Sequence, residues 1–575
     1  MSDKGKTGER FGWLADRLAH AAARRARPAT GFVSRPEPRM IGQYARGKQV
    51  LAGNILLAGT LVALPEAGLW AVVAPDPAFE AEAQGFAWLD DLAAYDTVAA
   101  RKLAQGWTWD WIARFGAGRG AGWSPDLIGR RIIRWVHHAT FLMAGRSKAE
   151  TDQFYRSLAR QSVYLSRRWK AAAPGLPRLE ALTGLVYAGL SLTGSQGLIA
   201  PAVAALAQAC VGDIDDQGGI ASRNPEELLE VLTLLTWAAG AMAEASHPVP
   251  GEVASAIGRI APALRALRHA DGTLARFHGG GTGGEGRLDQ ALALSGVRRG
   301  PTPALAMGYT RLSGGRTSVI VDAASPPGGR AASGAHASTA AFELVSGRRP
   351  LIVSCGAGHG FNADWQKATR ATLSHSVLAM EGLSSSAFGA GRLSLDRRAQ
   401  VQAARVTPGT EGTDVVVAHD GWTASHGLTA TRSLTLSHDG RRLSGVETLT
   451  AETPQDRRRF QDLMTATAME GAGFALHFHL HPDVDATVDM SGYAVSLALR
   501  SGEIWVLRHT GPVALTLEPS FYLERGRLHP RPCKQIVLKG HARGFETRIG
   551  WTLAKAKDTP LAIRDLDFAG AEDPA

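Results

Sequence analysis

The sequence predicts a multidomain α+β protein, with a helical N-terminal part followed by a large antiparallel β-sandwich. Three observations predict it. Apolar residues recur at helical spacing through residues 80–300. After Pro303, short apolar or alternating runs bounded by Gly, Pro, Asp and Asn take over. Helical crossovers between those runs are largely missing, which argues against a doubly wound parallel sheet. The balance of 45% hydrophobic and 20% charged residues excludes wholesale disorder, and the 66 glycines show no collagen period.

Residues 1–40 form a basic N-terminal extension without the apolar core of a signal peptide. The reading leaves cytoplasm and periplasm both open. Residues 50–74 are the one membrane candidate, but Asn54, Pro65, Glu66 and three glycines interrupt them. Ordinary buried segments are expected there, not a stable transmembrane insertion.

Residues 41–300 form the expected helical domain. In DLIGRRIIRWVHHATFLM, Leu127, Ile128, Ile132, Trp135 and Val136 make an apolar stripe, with Arg130, Arg131 and Arg134 expected on other faces. Arg178 to Leu198 reads as a further helix. In SRNPEELLEVLTLLTW, Asn224 suits an N-cap, Pro225 the first helical position and Glu227 the third. Ala-rich helices separated by Gly/Pro turns predict a ring or bundle, without a fixed sequence repeat. Residues 301–575 form the expected sandwich. Its strand signals are TSVIVDA, PLIVSCG, TDVVVAHDG, GFALHFHLHP, YAVSLALRSG, EIWVLRHTG, PVALTLEPS and KQIVLKG.

The 63 basic and 53 acidic residues give a net charge of +10. That balance is compatible with nucleic acid, an anionic membrane or an acidic polysaccharide. No recognised nucleic-acid module accompanies it, so no nucleic-acid partner is expected. Cys210, Cys355 and Cys533 form no CxxC pair and no disulfide framework.

Several segments carry candidate chemistry. His336 opens HASTAAFELVSGRRPLIVSCG at the entrance to an apolar strand; a structural histidine at a turn is the alternative. RATLSHSVL places Arg370 and His375 five residues apart, so an extended chain would point them opposite ways and a bend is needed. Arg370 can clamp a carboxylate or pair with a structural acid. Tyr309, in MGYTRLSGG, can transfer a proton or simply pack at the start of the sheet domain. RFHGGGTGG holds His278, and its glycines permit close backbone approach to a sugar. His477, His479 and His481 alternate in LHFHLHP and share one strand face. A polar face is the first reading of that row, and a bound zinc the minority one.

The segments from His336 and from Arg370, the run FALHFHLHPDV, and the N-terminal WTWDWIARFG and RRIIRWVHHATFL together resemble the heparinase II/III-like polysaccharide lyases. The resemblance covers most of the chain from about residue 40. It implies an incomplete (α/α) toroid followed by an antiparallel β-sandwich. It also implies a carbon–oxygen lyase that cleaves uronate-containing acidic glycans, of glycosaminoglycan or alginate type, by β-elimination. Such an enzyme must offset the uronate carboxylate, remove the C5 proton and protonate the departing O4. The resemblance assigns His336, His375, Tyr309 and Asn224 as catalytic candidates, with Arg223, Arg370 and His278 toward substrate. Asn224 is equally explained as a helix cap.

Some relatives hold a structural zinc through an H-x-D motif and a strand ending in Asp. Here Ser338 and Ser354 stand at those acidic positions, so no zinc is expected at His336. A neighbouring histidine is also missing near Asn224. These departures support an alternative: a non-catalytic, acidic-glycan-binding or envelope-associated protein with a degenerate lyase fold.

Overall fold

The computed structural model describes residues 3–556 except 35, 41, 299, 301–302, 390–392 and 490–491. The first two residues of the basic extension, the boundary residue 301 and the segment 557–575 therefore lie outside the described residues. The chain divides into two compact units. One takes the chain up to Ile220, then Leu229–Ala261 and Ala291–Val297; the other takes Ala221–Leu228, Pro262–Gln290 and Arg298 onward. Their architecture is an (α/α)-toroid-type helical unit and an antiparallel β-sandwich.

In the helical unit the predicted apolar stripe becomes helix Pro125–His137, and the chain bends at His138 before Ala139–Met143. Pro125–His137 packs against Leu176–Ser191 at a point made by two glycines. A Cβ on Gly129 would lie 2.2 Å from the Glu180 carbonyl oxygen, and one on Gly184 would lie 2.4 Å from Gly129 Cα. Only hydrogen fits at either place. Beside this contact Arg130 holds Glu180 through two hydrogen bonds of 2.7 and 2.9 Å. Trp88, Trp111, Trp135, Phe86 and Phe154 fill the core, each fully buried and worth about 1.5–3 kcal/mol or more.

Arg131 departs from expectation. It is fully buried, not on a polar face. Its guanidinium stacks 4.0 Å above Trp111 and donates to Gln161 and to the carbonyls of Gln84 and Gly122. Burial lowers its pKa to about 9. The 3.6-residue periodicity marks a face; it does not exclude a cation from the core once every donor is satisfied.

The interrupted segment 50–74 supplies the end of helix Tyr44–Leu51, a hairpin of Asn54–Leu57 with Thr60–Ala63, and a short turn at Leu69–Ala71. Among the described residues no helix is long and apolar enough to cross a membrane.

The sandwich unit has two eight-stranded sheets. In the first, the spatial order is Val401–Pro408, Gly412–Trp422, Leu428–Ser437, Arg442–Thr450, Glu546–Lys555, Ile504–Thr510, Ala494–Ala498 and Asp485–Asp489. In the second it is Val513–Tyr522, Arg531–Ala542, Ala472–Leu480, Arg349–Val353, Phe342–Ser346, Thr317–Asp322 and Tyr309–Gly314, with Leu378–Met380 also paired to Ala472–Leu480. Every pairing is antiparallel. Phe342 stacks on Trp551 with ring centres 5.7 Å apart, and Phe478 meets Trp551 edge-on at 4.9 Å. These rings join the two sheets, as alternating apolar faces require.

Candidate active site

All seven predicted site residues lie in the sandwich unit, whose Ala221–Leu228 and Pro262–Gln290 segments carry Arg223, Asn224 and His278. The anchor is one that sequence reasoning missed: Asp322, at the end of strand Thr317–Asp322 and fully buried. One of its oxygens accepts from Arg223 Nη2 at 2.5 Å, and the other from Ser338 Oγ at 2.7 Å. Its only sequence signal is an acid closing an apolar strand run.

Arg223 is held throughout its length. Its guanidinium also donates to the carbonyls of Met307, Gly308 and Ser325, and lies 4.7 Å from the centre of the Tyr309 ring. Burial works against its charge, and the Asp322 carboxylate more than offsets that, so its pKa rises. The Tyr309 hydroxyl donates to the Arg223 carbonyl at 2.6 Å. Burial pushes that phenol well above its ordinary pKa. Tyr309 is thus a neutral donor locked to backbone. Asn224 Oδ1 accepts from the backbone N–H groups of Glu226 and Glu227 at 3.0 and 3.2 Å, the N-cap geometry expected for helix Pro225–Glu244.

The three histidines converge from separate segments. The backbone N–H of His336 donates to His278 Nδ1 at 3.0 Å. His278 must therefore carry its proton on Nε2, which faces Asp322 Oδ2 at 3.5 Å. The ring centres of His278 and His336 are 6.1 Å apart, and those of His336 and His375 are 5.3 Å apart. His375 Nδ1 lies 3.1 Å from Ser354 Oγ. The bend required between Arg370 and His375 is present as a short turn at Thr372–Ser374.

Arg370 positions this loop. Its Nε and Nη2 donate to the carbonyls of Ala335 and Ala332 at 2.8 and 2.9 Å, and its own carbonyl accepts from Ala337 N–H. Its Nη1 and His336 Nδ1 are buried without a hydrogen-bond partner among the described residues. His375 Nε2 makes no full hydrogen bond among them either, although the Thr369 carbonyl is near enough to favour protonation slightly. Behind the histidines, Glu343 accepts from the N–H groups of Arg276 and Ser354 at 3.0 and 3.2 Å, and Arg276 donates to the Ser354 carbonyl. Neither Glu343 nor Arg276 was singled out by sequence.

Burial dominates the electrostatics. It pushes His278 and His336 well below the ordinary histidine range, reinforced in both by neighbouring histidines and arginines. It takes His375 down to about 3. All three are neutral near pH 7, as a proton acceptor must be.

The metal reading is corrected. Among the described residues no group of three His, Cys, Asp or Glu side chains could hold a metal ion. His477, His479 and His481 are buried, and each is turned to its own partner. Those partners are Gln535 for His477, Ser520 and the Leu373 carbonyl for His479, and the Asp483 N–H for His481. The first two rings lie nearly parallel, 12° apart with centres at 6.1 Å, so their nitrogens do not point at one spot. At His336 the donors also fail to fit the relatives' zinc, because Ser338 and Ser354 present hydroxyls already bonded to Asp322 and His375.

Residues 297–552 match the model of the family described as heparinase II/III-like, C-terminal. A solved heparinase III superposes with a TM-score of 0.70 at 13% identity, covering 96% of this chain and 90% of that one. The chain belongs to the heparinase II/III-like family. A heparan sulfate lyase from Pedobacter heparinus, in mutant form, shares the fold at a TM-score of 0.59 and 13% identity, over 95% of this chain and 88% of that one. At such identity the likeness is one of fold. The FtsZ-localized protein C of Caulobacter vibrioides is 31% identical to this chain over 551 residues, or 92% of this chain and 91% of that protein.

Proposed function

We propose that this family member is a carbon–oxygen lyase that cleaves a uronate-containing acidic glycan by β-elimination, with His336 and His375 as its proton-transfer groups. The observation that carries the reading is their juxtaposition: two neutral imidazoles with ring centres 5.3 Å apart, beside the unpartnered Arg370 Nη1. One histidine takes the C5 proton. The C5–H electron pair becomes the C4–C5 double bond, the C4–O4 bond breaks, and the imidazolium so formed passes the same proton to O4, directly or through the second histidine, so that both rings end neutral. Arg370 Nη1 offsets the charge that grows on the uronate carboxylate. His278, Arg223 and Tyr309 position the loop and strand ends around this pair, and Asn224 orders the adjoining helix. Water is not consumed.

The test uses the full chain against heparan sulfate, hyaluronan and alginate, following the ultraviolet absorbance of the unsaturated uronate. A rise in absorbance with wild-type protein is expected. Saturated, hydrolysed products would overturn elimination.

A second reading has its own support. The hydroxyl of Tyr309, three nitrogens of Arg223 and the amide oxygen of Asn224 are all engaged in backbone or core bonds. The 31% identical relative is named for its localisation with FtsZ. Under this reading the chain binds acidic glycan, or localises with FtsZ at the envelope, without turnover. Binding of uronate oligosaccharides with no absorbance change across the panel would favour it over the first.

A further inference from the structure

The second sheet carries a cleft of about 970 Å³ that uses none of the proton-transfer residues. Its floor follows from strand register. Ala379, Ala475, Lys539 and Ala514 occupy neighbouring positions across four strands, so three of the four side chains in that row are single methyl groups. Gly540 and Gly382 extend the low ground. Larger side chains stand around it: Phe474, His477 and His541, together with three acids and three cations. The acids Glu381, Glu518 and Glu546 balance Lys539, Arg543 and Arg548, so the lining carries no net charge.

One group in this lining lacks a partner. His477 is 7% exposed, and its Nε2 is buried with no hydrogen bond among the described residues. The protonation of that nitrogen can be derived. The Gln535 amide nitrogen donates to the Pro519 carbonyl at 3.3 Å, which turns Gln535 Oε1 toward His477 Nδ1 at 3.0 Å. An amide oxygen only accepts, so Nδ1 carries the proton and Nε2 presents a lone pair. Burial lowers this histidine to about 4, which keeps the ring neutral. A buried acceptor of this kind needs a donor, which a water or a ligand hydroxyl can supply.

We infer that this cleft is a second carbohydrate site, taking an uncharged, hydroxyl-rich sugar unit whose O–H group donates to His477 Nε2. A sugar hydroxyl donates to the imidazole, while neighbouring hydroxyls bridge carboxylate and ammonium groups such as the Glu518–Lys539 pair, 2.7 Å apart. The C–H face of the ring lies over the alanine row. A uronate or sulfated unit gains nothing from a lining whose charges cancel. The floor of the trough is a row of side chains across four strands.

The test is titration calorimetry on the full chain with two neutral probes, a β-glucan tetrasaccharide and an N-acetylhexosamine tetrasaccharide. An acidic uronate tetrasaccharide serves for comparison. At least one neutral probe is expected to bind. Ala514→Trp, an exposed position that fills the trough, is expected to abolish that binding. His477→Phe is expected to weaken it about tenfold, the equivalent of about 1.4 kcal/mol. Uronate binding is expected to be unchanged in both, which separates this site from the His336 site. If His477→Phe does not fold, Ala514→Trp decides alone. Failure of both neutral probes to bind would overturn the proposal, as would neutral binding that survives Ala514→Trp.

Discussion

The sandwich unit holds two groups of three histidines, and they are built in opposite ways. His477, His479 and His481 are neighbours in sequence, alternating along one strand, yet each is turned to a separate partner. His278, His336 and His375 are separated by 39 residues or more, yet their rings pack in a chain with centres 5.3 and 6.1 Å apart. Alternation in a strand fixes which face a ring occupies, not where its nitrogens point. Convergence needs separate segments pinned by buried groups. Here Asp322 pins Arg223 and Ser338, and Arg370 pins the 332–337 loop.

The comparison breaks most sharply in activity. With His336→Gln or His375→Gln, elimination measured by ultraviolet absorbance is expected to fall about 10²–10⁴-fold, the range for lost proton transfer. With His481→Gln the rate is expected to stay at the wild-type level. Equal losses from His481 and His336 would show that the sequential row, not the convergent one, serves the reaction.

Stability gives the next largest difference. Asp322→Asn leaves the Arg223 guanidinium buried without its countercharge, and urea unfolding is expected to show a loss of about 3–5 kcal/mol. The corresponding acid of the other row is Asp483, which pairs with Arg500 and Arg531 near the surface, its side chain 25% exposed. Asp483→Asn is expected to cost about 1 kcal/mol or less. Similar losses at the two positions would mean that the convergent cluster has no special anchor.

Both rows share a pH dependence. Burial lowers His375 from 6.5 to about 3, and His477 and His479 to about 4. Above pH 6.5 these groups are neutral in folded and unfolded chains alike, and they add no slope. Below it the unfolded chain takes up protons that the folded chain refuses, so stability falls as pH falls toward 4. Each group contributes at most about 1.4 kcal/mol per pH unit in that window. Urea midpoints at pH 7.5, 6 and 5 should decline accordingly, and His477→Phe should reduce the slope by one group. A flat profile would mean that the folded protein protonates these rings.

The difference between the rows also explains what could be read from sequence. The eight strand runs identified after Pro303 all became strands, because their apolar residues are continuous or alternate cleanly. Strands Val401–Pro408, Leu428–Ser437, Arg442–Thr450 and Glu546–Lys555 were missed, because outward polar residues, and in two of them the buried Arg432–Glu447 pair, dilute the apolar signal. His336, His375, Arg370 and His278 were legible as motifs, and the structure does bring them together. Asp322, Arg276 and Glu343 were not, because a buried acid or cation has no local pattern until its distant partner is known. The roles of Tyr309 and Arg223 were obscured for the same reason, since each spends its polar atoms on backbone groups far away in sequence.

The smallest expected effect concerns Asn224, the residue with two readings. As an N-cap it satisfies the N–H groups of Glu226 and Glu227, and Asn224→Ala is expected to cost about 1 kcal/mol. Asn224→Asp keeps an oxygen in the same place, and its charge suits a helix N-terminus, so stability should be retained. The surroundings are tight, since a Cβ on Gly280 would come within 2.7 Å of Asn224 Oδ1. A side chain at Gly280 would therefore displace the amide oxygen from its cap. If the side chain only caps, Asn224→Asp should preserve both the unfolding midpoint and the elimination rate. If the amide instead neutralises the uronate carboxylate, a second carboxylate there must repel substrate. Stability would then hold while the rate falls and KM rises, and Asn224 would rejoin the reacting groups.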